Sequence, residues 1–177
     1  MTASRRSFVI AASSWLVGAA AHAKQLEAPN VVVIGPRLTT SGQPGAQALS
    51  GLRQLGFEAV VYLAPATVPD AVKEEPAILA QQGIEFVHVP IPFGTPTEAH
   101  FEAVSQALQR LQGKNVLVHC QVNMRASTLV FLHRATKLRE DPVTAWQDVT
   151  RVWVPDGAWK RLVTDVLARH GVNFAPF

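Results

Sequence analysis

Short apolar runs separated by stretches of helical spacing define this chain. Val31 to Ile34 reads as a strand, stopped by Gly35-Pro36, and Arg37 to Thr40 as a second short extended piece. After a turn at Gly42 to Gly45, Pro44 suits the first turn of a helix. Leu49, Leu52 and Leu55 face one side of that helix, and Gly56 ends it. Phe57 to Leu63 is predicted as a buried strand, and 64–75 as a loop rich in Pro and Ala. Pro76 to Gln82 follows as a short helix closed by Gly83, and Ile84 to Val89 as a further strand. Thr95-Pro96-Thr97-Glu98 reads as a capping box, after which Phe101, Val104, Leu108 and Leu111 recur at helical spacing up to Gly113. Val116 to Val118 is the last strand, and Ala126 to Leu138 a largely apolar helix. Asp141-Pro142 opens another helix with Val143, Trp146 and Val149. A final one, capped by Asp156, turns Trp159, Leu162, Val163, Val166 and Leu167 inward. Strands that alternate with helices predict an α/β fold: a central, mostly parallel sheet covered on both faces, in one domain. Ligands of such sheets bind outside the carboxyl edge of the strands.

Composition agrees with a well-buried domain: 48% of the 177 residues are hydrophobic and only 16% charged, which excludes a disordered or coiled-coil chain. The first 23 residues differ from the rest. Ser4-Arg5-Arg6-Ser7-Phe8-Val9 is a basic start, Val9 to Ala21 a modest apolar run, and Ala21-His22-Ala23 a small-residue cleavage signal. That order predicts an export signal over 1–23, ahead of a domain over 24–177. The run is too short to span a membrane, and the arginine pair followed by Ser-Phe points to the twin-arginine route. The mature protein is therefore expected in the periplasm or secreted, with no stable membrane insertion. The formal net charge of +3 includes Arg5 and Arg6; without them 14 basic side chains stand against 13 acidic ones. With no basic helix or aromatic-studded strand, no nucleic-acid partner is expected.

Candidate chemistry gathers in one stretch, Asn115 to Ser127. The only cysteine, Cys120, follows the last strand, and Arg125 and Ser127 lie at the start of the next helix. A helix start offers unpaired N–H groups and a partial positive charge, which suit an anion. That end, with His119 and Arg125, favours thiolate at Cys120. A thiolate facing an anion cradle with an arginine beside it is equipped to attack a phosphoester. A lone cysteine excludes an internal disulfide and a dithiol oxidoreductase. His88, His100 and His119 fit no compact ligand spacing, so neither a metal nor another cofactor is expected.

His119-Cys120 through Arg125 and Ser127 resembles the signature loop of the cysteine-based protein phosphatases: His-Cys, five residues, Arg, then Ser or Thr. The chain most resembles a bacterial branch of the atypical dual-specificity phosphatases, related to phosphatase-like domains that accompany some sulfide-oxidation and β-lactamase-like proteins. Thr40-Ser41-Gly42-Gln43-Pro44 is the second matching motif. The resemblance implies a dual-specificity-phosphatase-like fold over roughly residues 30 to 170 and a phosphocysteine on Cys120. It implies that Arg125 grips two phosphate oxygens, that Ser127 steadies the thiolate and that His119 orders the loop. Residues Gln121, Val122, Asn123, Met124, Arg125 and Ala126 would bind the phosphate of a phosphorylated small molecule or phosphoprotein.

Two departures accompany the match. Only four residues separate Cys120 from Arg125, so either the loop is one residue short or the arginine has moved back one position, with Ala126 in its place. Asn123 stands where the family has glycine, and Asn tolerates left-handed backbone better than most residues. The family's general acid, an aspartate before the cysteine, has no counterpart in Pro90 to Pro96. Glu98 is better explained by the capping box and Asp156 by its helix start. The sequence thus predicts an exported cysteine-dependent phosphatase. The alternatives are an impaired relative that binds a phosphorylated or other anionic ligand or a partner protein, and a persulfide-carrying sulfurtransferase. Oligomeric state is left open.

Overall fold

A computed structural model describes residues 25–177; the export signal expected over 1–23 lies outside the described residues. Five four-residue strands form one sheet in the order β1-β2-β5-β3-β4. These are β1 Val32–Gly35, β2 Leu38–Ser41, β3 Ala59–Tyr62, β4 Glu85–His88 and β5 Val116–His119. The first two pair as an antiparallel hairpin, and β2, β5, β3 and β4 run parallel. The expected α/β fold with a mostly parallel sheet is the one observed.

Alternation along each strand divides the core into two. Ala59, Val61, Val116 and Val118 face a cluster built with α3 Glu98–Arg110, α4 Met124–Thr136, α5 Pro142–Thr150 and α6 Gly157–Arg169. Val60 and Leu117 face the other side, against Leu49 and Leu52 from α1 Ala46–Ser50 and its following turn, and Leu79 from α2 Glu75–Gln81. Each fully buried Leu or Val contributes about 1.5–3 kcal/mol of hydrophobic transfer. Helix α4 lies in the middle of the larger cluster, with every residue from Arg125 to Thr136 buried. A helix enclosed in this way holds its first turn rigidly at the end of the sheet.

Several local expectations shift. The first helix is only five residues long, because the chain passes Gly51 into successive tight turns, Gly51 N–H to Ala48 O and Leu52 N–H to Leu49 O. Leu49 and Leu52 still point inward. The capping box before α3 is built by Thr97 and His100, not by Thr95 and Glu98. The Thr97 hydroxyl accepts from His100 N–H, and His100 Nδ1 accepts from Thr97 N–H at 3.1 Å. Pro96 consequently precedes the cap, and Glu98 pairs with Arg169. Asp141 caps α5 by accepting from Thr144 N–H at 2.9 Å, with Val143 turned to solvent. Asp156 occupies the cap position of α6 without making a side-chain cap bond.

Candidate active site

The last residues of the four parallel strands stand in one row across the carboxyl edge: Ser41 beside His119, His119 beside Tyr62, Tyr62 beside His88. The Tyr62 ring stacks on His119 at 4.7 Å and on His88 at 5.0 Å. Cys120 follows directly from this row and opens the loop that leads into α4.

The Thr40-Ser41-Gly42-Gln43 motif is the bed on which that loop lies. Ser41 O accepts from Cys120 N–H at 3.2 Å, and Gln121 O accepts from Gln43 N–H at 2.9 Å. Gly42 bridges to Val122. Its own approach is so close that a Cβ would stand 2.6 Å from Gln121 O, which explains the glycine. Asn123 takes the left-handed conformation at φ 71°, as its place in the loop suggests. Its Nδ2 donates to Thr40 Oγ1 at 3.0 Å and to Asn30 O at 2.6 Å, while Asn30 Nδ2 donates to Val122 O. Asn123 makes no side-chain cap bond to α4. The N–H groups of its first turn, from Met124, Arg125 and Ala126, therefore keep the anion-binding character of a helix start.

Cys120 is buried completely rather than standing at an open mouth. It joins the larger apolar cluster with Ala126 and Leu129, because the loop is folded down onto the motif below it. Arg125, the second residue of α4, is buried too. Its Nε donates to Ile91 O at 2.9 Å, and its guanidinium lies 5.0 Å under the Phe93 ring. Phe93 is fixed in turn by Trp159, whose Nε1 donates to Phe93 O at 2.8 Å, and by ring contacts with Trp153 and Trp159. The acid-free loop 90–96 is thus a cover over the arginine. The Ser127 hydroxyl donates to Met124 O at 3.3 Å, one turn back in its own helix. Val122 is exposed, and Gln121 and Met124 are half-buried.

Three side chains escaped the sequence reading. Glu75, at the start of α2, is buried; its Oε1 lies 2.7 Å from His119 Nε2 and its Oε2 accepts from Gln43 Nε2 at 3.1 Å. A glutamate beside a proline at a helix start has a local explanation, and nothing in the sequence points from it to His119. Asp70, in the loop 64–74, accepts from Gln121 Nε2 at 2.8 Å. Tyr62, at the end of β3, has its hydroxyl pushed up to about 12, first by burial and then by Glu75, Asp70 and Cys120, with Arg125 opposing. One oxygen therefore senses all of these groups at once. His88, expected to be free of metal, bonds Ala64 O through Nε2 at 2.8 Å, and His100 is taken up by its cap. Among the described residues no group of His, Cys, Asp or Glu is arranged to hold a metal ion.

Similarity to known proteins follows this geometry. No family model matches the chain. It is 30% identical to a solved DUF442 protein of Shewanella putrefaciens CN-32, named as a candidate phosphatase, with a TM-score of 0.75 over 81% of this chain and 95% of that one. It is 29% identical over 120 residues to the β-lactamase hydrolase-like protein of Xylella fastidiosa, a match to 65% of this chain. The chain spans 28% of the length of that curated relative. TpbA of P. aeruginosa, 21% identical, shares the fold with a TM-score of 0.62 over 81% of this chain and 91% of its own.

Proposed function

Because the chain belongs to the DUF442 group of cysteine-based, dual-specificity-phosphatase-like proteins, we propose that it hydrolyses phosphoesters through Cys120. The observation that carries this reading is the placement of Cys120 directly after β5 and of Arg125 in the first turn of α4, on either side of one short loop. That loop runs from the end of β5 into an α4 start that no side chain caps. In the proposed reaction the Cys120 sulfur attacks phosphorus, the bond to the leaving oxygen breaks, and the phosphoryl group rests on sulfur. Water then attacks phosphorus, releases phosphate and restores the thiolate. The α4 N–H groups and the Arg125 fork stabilise the charge on the equatorial oxygens. The substrate is a phosphorylated small molecule or phosphoprotein, met after export through the signal expected over 1–23.

A second reading, phosphate binding without turnover, draws on the cover over Arg125 and on loop 90–96 carrying no acid. One experiment separates the two. Reduced full-length protein is assayed on an aryl phosphate, whose good leaving group needs little protonation. Turnover that disappears in Cys120→Ser and drops at least tenfold in Arg125→Lys supports the phosphatase, since lysine supplies no fork. Phosphate that protects Cys120 from iodoacetamide without any turnover supports the binder. A thiol that ignores phosphate sinks both.

A further inference from the structure

At the amino edge of the sheet, the edge away from Cys120, the larger apolar cluster opens to solvent. Leu38 and Val116, the paired first residues of β2 and β5, line a cavity of about 340 Å³ there. Leu108 in α3 and Leu111 at its carboxyl end form a second apolar wall, and both are buried. Leu138, just past α4, also lines the cavity and is half exposed. A volume of this size lies at the small end of ligand sites, which run from about 300 to 1,000 Å³.

Polar side chains share the lining. His133, near the end of α4, is only 4% exposed, and its buried Nδ1 makes no hydrogen bond. A buried ring nitrogen without a partner is costly, and folded proteins pair nearly all such groups. Burial holds this imidazole neutral, its pKa lowered to about 4, so Nδ1 can donate or accept one bond but supplies no charge. Charge comes from the two cations of the lining. Lys114 is committed to Glu85 at 2.6 Å. Arg37, exposed in the turn between β1 and β2, gives one N–H to Gly113 O at 3.0 Å and has no carboxylate partner among the described residues. The rest of its fork is available to an anion. A small inorganic anion would leave the leucine walls wet, and a plain hydrocarbon would leave Arg37 and Nδ1 unanswered. A chain with one anionic end suits both.

We propose that this cavity binds a medium-chain monocarboxylate, with its hydrocarbon chain among Leu38, Leu108, Leu111 and Val116 and its carboxylate accepting from Arg37 and from His133 Nδ1. At roughly 30 Å³ for each water-sized group, the volume suits about ten non-hydrogen atoms, the size of octanoate. The site uses no residue of the signature loop and does not depend on the chemistry of Cys120.

The test is isothermal titration of the full chain with octanoate at neutral pH, with the histidine ring nitrogens followed by NMR. Octanoate should bind at one site with a Kd on the order of 1 mM and should shift the His133 ring signals. Butyrate carries the same head on a shorter chain and should bind at least tenfold more weakly. Arg37→Gln changes an exposed side chain, so the fold should be kept. It should weaken octanoate about fivefold and leave the binding of octan-1-ol unchanged, which separates the charge from the chain. Three results would overturn the proposal: no binding by either readout at ten times the expected Kd, binding that leaves the His133 ring signals in place, or equal octanoate affinity in Arg37→Gln. Neither readout involves turnover. Octanoate binding without phosphatase activity would therefore refute only the phosphatase, and activity without octanoate binding only the cavity ligand.

Discussion

The Phe93 ring covers the Arg125 guanidinium at 5.0 Å, and this contact occupies the one cation that the signature loop offers an anion. Such a contact, with the Phe93 ring itself exposed, is worth about 1 kcal/mol. The same loop holds the arginine a second time through Ile91 O. A phosphate must compete with both before the fork can form.

Phe93→Ala removes half of that competition. Inorganic phosphate should then protect Cys120 from alkylation at about fivefold lower concentration, the equivalent of about 1 kcal/mol. The variant should also lose a little thermal stability, since the ring packs against Trp153 and Trp159. Phosphate protection that stays the same or weakens would mean that the ring supports the arginine rather than competing for it.

The leaving group should matter more for this chain than for an enzyme with a general acid over its arginine. Loop 90–96 contributes Phe93 there and no carboxylate. Without proton donation the leaving oxygen departs as an anion, so alkyl phosphates should turn over about 10²–10⁴-fold more slowly than aryl phosphates. A rate series over phenols and alcohols of graded acidity checks this. A flat series would point to an acid from elsewhere, and Asp70 at Gln121 would be the first to replace.

The sheet and its helices were legible because β1, β3 and β5 lie in short apolar runs near Gly, Pro or Asn, and α3, α5 and α6 carry an apolar stripe, whereas α4 is buried on all sides. Strand ends and most helix ends moved by one or two residues, but α1 stops at Ser50, well before the Gly56 expected to end it. The cap before α3 moved because His100, an unusual partner, serves where a glutamate was expected. In the site, Cys120, Arg125 and Asn123 were readable from local spacing. Glu75 was not, since its partners Gln43 and His119 lie 32 and 44 residues away along the chain. Only the parallel order β2-β5-β3 brings them together. Phe93 over Arg125 was hidden for the same reason: an apolar residue in a loop carries no sign of what it covers.

Acid stability should depend on His133, near the end of α4. Burial, aided by Lys137 and opposed by Glu140 and Glu102, lowers its pKa from 6.5 to about 4. In the unfolded chain His133 takes a proton as pH falls through about 6.5, while in the fold it stays neutral down to about 4. Between those values the unfolded state binds more protons, so stability falls as the solution is acidified across that window. His133→Gln should flatten this part of the curve of melting temperature against pH. Parallel curves for variant and wild type would show that carboxylates alone set the acid limb.

Gly42 offers the sharpest steric test of how the loop is bedded. A Cβ there would meet Gln121 O at 2.6 Å and Pro29 Cβ at 2.8 Å. Neither neighbour is a flexible side-chain end. Gln121 O is held by Gln43 N–H, and Pro29 O accepts from Gly42 N–H itself. Gly42→Ala must therefore push the signature loop away from its bed, at a cost of about 1–3 kcal/mol. Gly35→Ala is the control, since nothing lies within 4 Å of a Cβ at that position, and it should stay within about 0.5 kcal/mol of wild type. Denaturant titration measures both. Because the displaced atom belongs to the residue after Cys120, Gly42→Ala should also weaken phosphate protection of the thiol, which the control should leave intact. Wild-type stability and protection in Gly42→Ala would show that the loop is not held by this contact.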